Sequence, residues 1–122
     1  MVTELAKCFE RVERPWNPLI VGALNGQHVK VAVLDGRFVW HAHDAADEMF
    51  LVLEGRLTMR YRDRPDETVE PGQFTIVPRG VDHLPEAMDG PVKVVLFEPE
   101  GTVNTGTAGG ERTVVPAHFH DR

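Results

Sequence analysis

Apolar residues follow two periods along this chain, one near its start and another over most of the rest. Leu5, Cys8, Phe9 and Val12 recur at three- and four-residue intervals, the spacing of one helix face, and predict a short helix over residues 4–12. Pro15 and Pro18 end it. From residue 19 onward the pattern is that of strands. Residues 19–24 form an apolar run leading into Asn25-Gly26, a dipeptide suited to a tight hairpin. Residues 29–34 predict the returning strand, and Asp35-Gly36 reads as a second turn of the same kind before a strand over 37–43. Residues 48–54 run to Gly55, after which Leu57, Met59 and Tyr61 alternate with Arg56, Thr58, Arg60 and Arg62 as a strand wetted on one face. Asp63-Arg64-Pro65-Asp66, Pro71-Gly72 and Pro78-Arg79-Gly80 punctuate short runs at 68–70 and 73–77, and a last strand is predicted at 92–97. Roughly seven to nine short strands with such turns predict an all-β sandwich or barrel.

Composition narrows the class. A chain of 122 residues suits one domain and buries a real core without disulfides. Thirteen basic against nineteen acidic residues leave a net charge of −6, which excludes a broadly basic nucleic-acid binder and gives no attraction to anionic membranes. No apolar stretch approaches the ~20 residues of a membrane helix. The start, MVTELAKCFERVER, lacks the apolar centre of a secretory leader. The lone Cys8 cannot form an internal disulfide, which points to the cytoplasm, and its place on the apolar helix side predicts packing rather than reactivity. Residues 1–18 read as helix and lead-in, 19–99 as the barrel, and 100–122, with the polar stretch GTVNTGTAGG, as a tail packed on the barrel or extending from it.

Candidate chemistry gathers on His41, His43, Glu48 and His83. In an extended segment His41 and His43 project to one face. A strand beginning at Glu48 aims its carboxylate toward the same volume, and His83, after the turn at 78–80, closes the set from across the sheet. Three imidazoles and a carboxylate form a nitrogen and oxygen set suited to a divalent first-row metal. The blander reading, a solvated H-x-H pair, loses ground once Glu48 and His83 stand at matching positions. Asp44 and Asp47 read as loop charge, His28 as a surface residue, and Arg56, Arg60 and Arg62 as an exposed stripe. His118 and His120 repeat the H-x-H spacing without a carboxylate partner and read as solvated tail.

These residues lie in two stretches that resemble the motifs of the cupin superfamily. GRFVWHAHDAADEMFLVLEG, Gly36 to Gly55, is similar to the first motif, which joins a glycine, an H-x-H pair, a glutamate and a closing glycine. GQFTIVPRGVDHLPEA, Gly72 to Ala87, is similar to the second, with a glycine, P-x-G and a histidine. Gly36 stands one residue closer to His41 than in the usual motif, and Ala87 replaces the usual asparagine. The resemblance implies a small single-domain cupin: a double-stranded β-helix, or jelly-roll barrel, with a short N-terminal helix. It carries His41, His43, Glu48 and His83 over as metal ligands, for iron, manganese, zinc or nickel.

Strand faces also bear on assembly. With Glu48, Phe50 and Val52 pointing inward, Met49, Leu51 and Leu53 point outward, together with Phe38 and Trp40. Strands apolar on both faces need both covered, more than one short helix supplies, which predicts a homodimer. For function, the resemblance implies a metal site acting on a small polar metabolite by isomerase-like or dioxygenase-like chemistry, or a non-catalytic module holding a small-molecule ligand. Neither Tyr61 nor His28 carries the signature of a general base.

Overall fold

A computed structural model describes residues 2–120; Met1, Asp121 and Arg122, which the limits 1–18 and 100–122 include, lie outside the described residues. The helical spacing folds as α1 (Leu5–Glu10), which buries Cys8 and Phe9. It stops short of residue 12 because Arg11 and Val12 donate to Cys8 and Phe9 carbonyls only three residues back, tightening the last turn. β1 (Leu19–Leu24) and β2 (Gln27–Arg37) form the expected hairpin around Asn25-Gly26, both at positive φ.

Asp35-Gly36 corrects the sequence reading: it is a bulge and not a hairpin turn. β2 runs through it while paired with β7 (His83–Pro99), and the register shifts between Leu34 and Gly36. Gly36 sits at φ 78°, a conformation glycine adopts without steric cost. The strand expected over 37–43 therefore does not form. Beyond Arg37 the chain is irregular, apart from an isolated bridge between His41 and His83.

β3 (Glu48–Glu54) and β4 (Leu57–Tyr61) fall where the alternation placed them, followed by β5 (Glu67–Val69) and β6 (Phe74–Val77). β7 starts well before the expected residue 92. It is the spine of the sheet: its first half pairs with β4, its second half with β3, and β2 follows both. β8 (Ala117–His118) adds in parallel to β1.

The two faces of these strands have separate duties. Ala32 and Leu34, Phe50 and Val52, Leu57 and Met59, and Val92, Val94 and Leu96 fill the interior. Their neighbours Val31, Leu51, Leu53 and Val95 form an outer layer beneath Cys8, Phe9 and Phe119. Each fully buried aliphatic side chain contributes about 1.5–3 kcal/mol, so both layers stabilise the fold. The tail folds back on the barrel: Thr107 N–H donates to the Ala42 carbonyl at 2.9 Å, and the Asn104 amide brackets Arg112 and Val114. Among the described residues no helix is long and apolar enough to cross a membrane.

Candidate metal centre

Glu48 opens β3 and His83 opens β7, while His41 and His43 lie on the irregular segment between β2 and β3. Backbone bonds bring the three pieces together. His41 and His83 exchange N–H···O bonds of 3.0 and 2.9 Å, and Gly80 N–H donates to the His43 carbonyl at 2.9 Å. Asp47, read as loop charge, accepts from the Arg79 backbone at 2.9 Å and fixes the turn at 78–80 against the start of β3.

All four candidate residues are buried, with His83 at 0% exposure, and their ligand atoms lie within 4.8 Å of one another. His41 Nδ1 lies 2.8 Å from the Val39 carbonyl and His83 Nδ1 2.9 Å from the Val81 carbonyl. A carbonyl only accepts, so both Nδ1 atoms carry the proton and leave Nε2 with a free lone pair. His43 Nε2 stands 3.2 Å and His83 Nε2 3.8 Å from Glu48 Oε1. Two ligands on one ion, each about 2.0–2.2 Å from it, stand about 3–4 Å apart. His43 Nε2, His83 Nε2 and Glu48 Oε1 are buried without a hydrogen-bond partner among the described residues. Buried polar atoms left so are costly, and a shared cation satisfies all three at once. The donor set therefore fits a divalent metal.

The electrostatics agree. Burial pushes the Glu48 carboxyl up, but hydrogen bonding with Glu98, then with His43, outweighs this and holds it well below the usual carboxylate range. Burial, then repulsion from His83, lowers the His41 pKa from 6.5 to about 4. Between those values the unfolded chain takes up a proton that folded His41 refuses, so stability falls as pH drops through the window and changes no further on this account below it. Urea unfolding of chelator-treated protein is expected to show a lower midpoint near pH 5 than near pH 7, a difference that His41→Gln reduces.

A narrow cavity of about 40 Å³ adjoins the cluster, walled by Trp16, Leu34, Phe38, Phe50 and Leu96, with His41, Glu48 and Glu98 among its polar groups. Phe38 corrects the outward placement: it is 8% exposed and meets the His41 ring edge-on at 5.4 Å, because segment 38–43 lacks strand alternation. Trp16 adopts φ 69°, uncommon for a bulky residue. It is held there by its Nε1 donating to Asp35 O at 2.7 Å and by stacking on Phe38 at 4.7 Å.

The remaining candidates stay outside the cluster. His28 pairs with Glu100 at 3.7 Å and meets His118 edge-on, away from the four. His120 Nε2 lies 3.3 Å from the Thr3 hydroxyl. Arg62 and Arg60 flank Trp40 instead of the cavity. Tyr61 donates to Glu67 at 2.9 Å, and burial followed by that bond pushes its pKa up to about 12, so it keeps its proton. The sequence reading missed Glu98 and its partner Lys30. Their signal is a charged residue on the inward phase of an otherwise apolar strand, as in VKVAVL and VVLFEP.

Comparison with known proteins gives the same architecture. Residues 27–98 match the family model described as Cupin domain. YdbB of Bacillus subtilis (strain 168), described as uncharacterized, is 32% identical over 63 residues, 52% of this chain and 56% of its own length. The chain thus matches about half the length of that relative. The crystal structure of a cupin-2 domain containing protein from Shewanella frigidimarina NCIMB 400 has a TM-score of 0.76 at 32% identity, over 81% of this chain and 95% of that one. Protein NMB1881 from Neisseria meningitidis, at 24% identity and TM-score 0.74 over 82% of this chain and all of its own, shares the fold. With its motifs, its mostly β architecture and the family match in agreement, the chain belongs to the cupin family.

Proposed function

We propose that His41, His43, Glu48 and His83 hold one divalent first-row metal ion, and that the adjoining cavity takes a small molecule on which the site acts. The convergence of buried, unpartnered ligand atoms on His43, His83 and Glu48 carries this reading. When bound, the ion supplies Lewis-acid polarisation of a ligand oxygen, as isomerase-like reactions use, or as iron the redox chemistry of dioxygenase-like ones. The chain does the rest. The Val39 and Val81 carbonyls fix the tautomer and orientation of two imidazoles, and Trp16 and Phe38 limit access of water. The largely apolar cavity walls equally suit a module that only holds its ligand, and turnover by the loaded protein separates the two.

Metal analysis of protein purified without added metal tests the assignment. About one ion per chain is expected, and His43→Ala is expected to lose it, together with the stabilisation that binding confers, about 2.7 kcal/mol at a hundredfold excess over Kd. Undiminished metal in that variant removes His43 from the ligand set.

The protein is further proposed to be a cytoplasmic homodimer. Its lone thiol, Cys8, is buried and unpaired, which suits a reducing compartment. On the outer face Leu51 opposes Phe74 and Met49 opposes Ile76, with Phe74 59% and Ile76 53% exposed. A second copy laid on this patch by a two-fold axis covers it. Light scattering is expected to give twice the chain mass, and Phe74→Glu the mass of one chain. A wild-type protein monomeric at micromolar concentration contradicts the dimer.

A further inference from the structure

The barrel interior holds an ion pair that the metal site leaves unused. Lys30 on β2 and Glu98 on β7 are each 2% exposed, and Lys30 Nζ donates to Glu98 Oε1 at 2.7 Å and to the Thr102 carbonyl at 3.4 Å. That engages only one carboxyl oxygen. Glu98 Oε2 is buried without a hydrogen-bond partner among the described residues, and Glu98 lines the same cavity as His41 and Glu48. Buried carboxyl oxygens are seldom left so, and the cavity is the place where a ligand can meet this one.

We infer that Glu98 determines the specificity of the cavity: its Oε2 pairs with the hydroxyl of a small hydroxy-carbonyl compound whose carbonyl or carboxylate oxygen lies at the four-residue cluster. The inference rests on the metal reading above. A hydroxyl both donates and accepts, so it pairs with Oε2 whether or not the carboxyl carries a proton. A ligand carboxylate turned toward Glu98 meets the like charge of Glu48 beside it, and an ammonium competes with Lys30 for a carboxyl already paired. An apolar group leaves Oε2 unsatisfied. The carbon side of the ligand lies against Trp16, Leu34 and Phe38. Lys30 is then a positioning residue, holding Oε1 so that Oε2 is the atom left for the ligand.

Cobalt-loaded protein tests this, with glycolate and acetate as probes and the visible cobalt spectrum as the readout. Lys30→Met/Glu98→Met replaces the pair by apolar side chains of similar reach without stranding either charge. Both proteins are expected to take up cobalt. Wild type is expected to bind glycolate more tightly than acetate, and this preference to fall about tenfold or more in the double variant. Because the readout is a ratio, general loosening of the site does not mimic it, and chelation of cobalt by glycolate contributes equally to both proteins. Glu98→Gln, which keeps an acceptor for Lys30, is expected to lower the ratio by a smaller factor and serves if the double variant does not fold. An unchanged ratio overturns the role of Glu98 while leaving the metal site intact. A wild-type chain that takes up no cobalt overturns the metal reading and this inference with it.

Discussion

The Glu98→Met protein is expected to be about 3–5 kcal/mol less stable than wild type, and Lys30→Met/Glu98→Met to recover most of that loss. Lys30 and Glu98 lie on the inward phase of β2 and β7, where Ala32, Leu34, Val94 and Leu96 are otherwise apolar. A charge buried there is tolerable only with its partner 2.7 Å away. Removing the carboxyl alone leaves an ammonium in the interior with, among the described residues, the Thr102 carbonyl to receive it. Removing both charges leaves two methionine side chains that pack with those neighbours. For a chain of this length the single variant is expected to melt roughly 10–20 °C lower. Calorimetry of both variants checks this: equal losses in single and double assign the effect to packing and contradict the electrostatic account.

The second large effect is expected at a residue outside the four candidate ligands. Gly106 has φ 51°, and a Cβ there stands 2.1 Å from the Ala42 carbonyl oxygen and 3.0 Å from His43 Nδ1. The first contact is with backbone, which cannot rotate away. Gly106→Ala therefore forces the tail off the 42–43 segment and breaks the bond from Thr107 N–H to Ala42 O. The strain is about 1–3 kcal/mol. The larger consequence concerns His43, whose Nδ1 the added Cβ crowds at 3.0 Å. Metal affinity is expected to fall about 10–100-fold, the range found when groups just outside a ligand set are altered. Competition with a chelator of known affinity measures it, and wild-type affinity in this variant shows that the tail has no part in the site.

The four candidate ligands were readable in the sequence because each is a chemically unusual residue at a position marked by nearby turns or alternation. Strands β3 and β4 were readable because one face of each is regular in sequence as well as in space. The first half of β7 was not, since Pro85, Gly90 and Pro91 look locally like breakers. That segment is held extended by pairing with β4 and β2, partners far away in the chain. Gly36 failed the same way: Asp-Gly is a hairpin signal, but the sheet carries the strand through it as a bulge. Phe38 departs from the period-two pattern because segment 38–43 makes only one bridge and so lacks strand alternation. The close approach of Gly106 to the Ala42–His43 segment and the pairing of Lys30 with Glu98 join residues more than sixty positions apart, beyond the reach of local patterning.

Crystals of the metal-loaded protein, with anomalous diffraction recorded at the absorption edge of the bound metal, locate the ion. One strong peak per chain is expected within bonding distance of an imidazole nitrogen of His41, His43 and His83 and a carboxylate oxygen of Glu48. A peak elsewhere, or those four side chains turned away from a common point in the loaded protein, contradicts it.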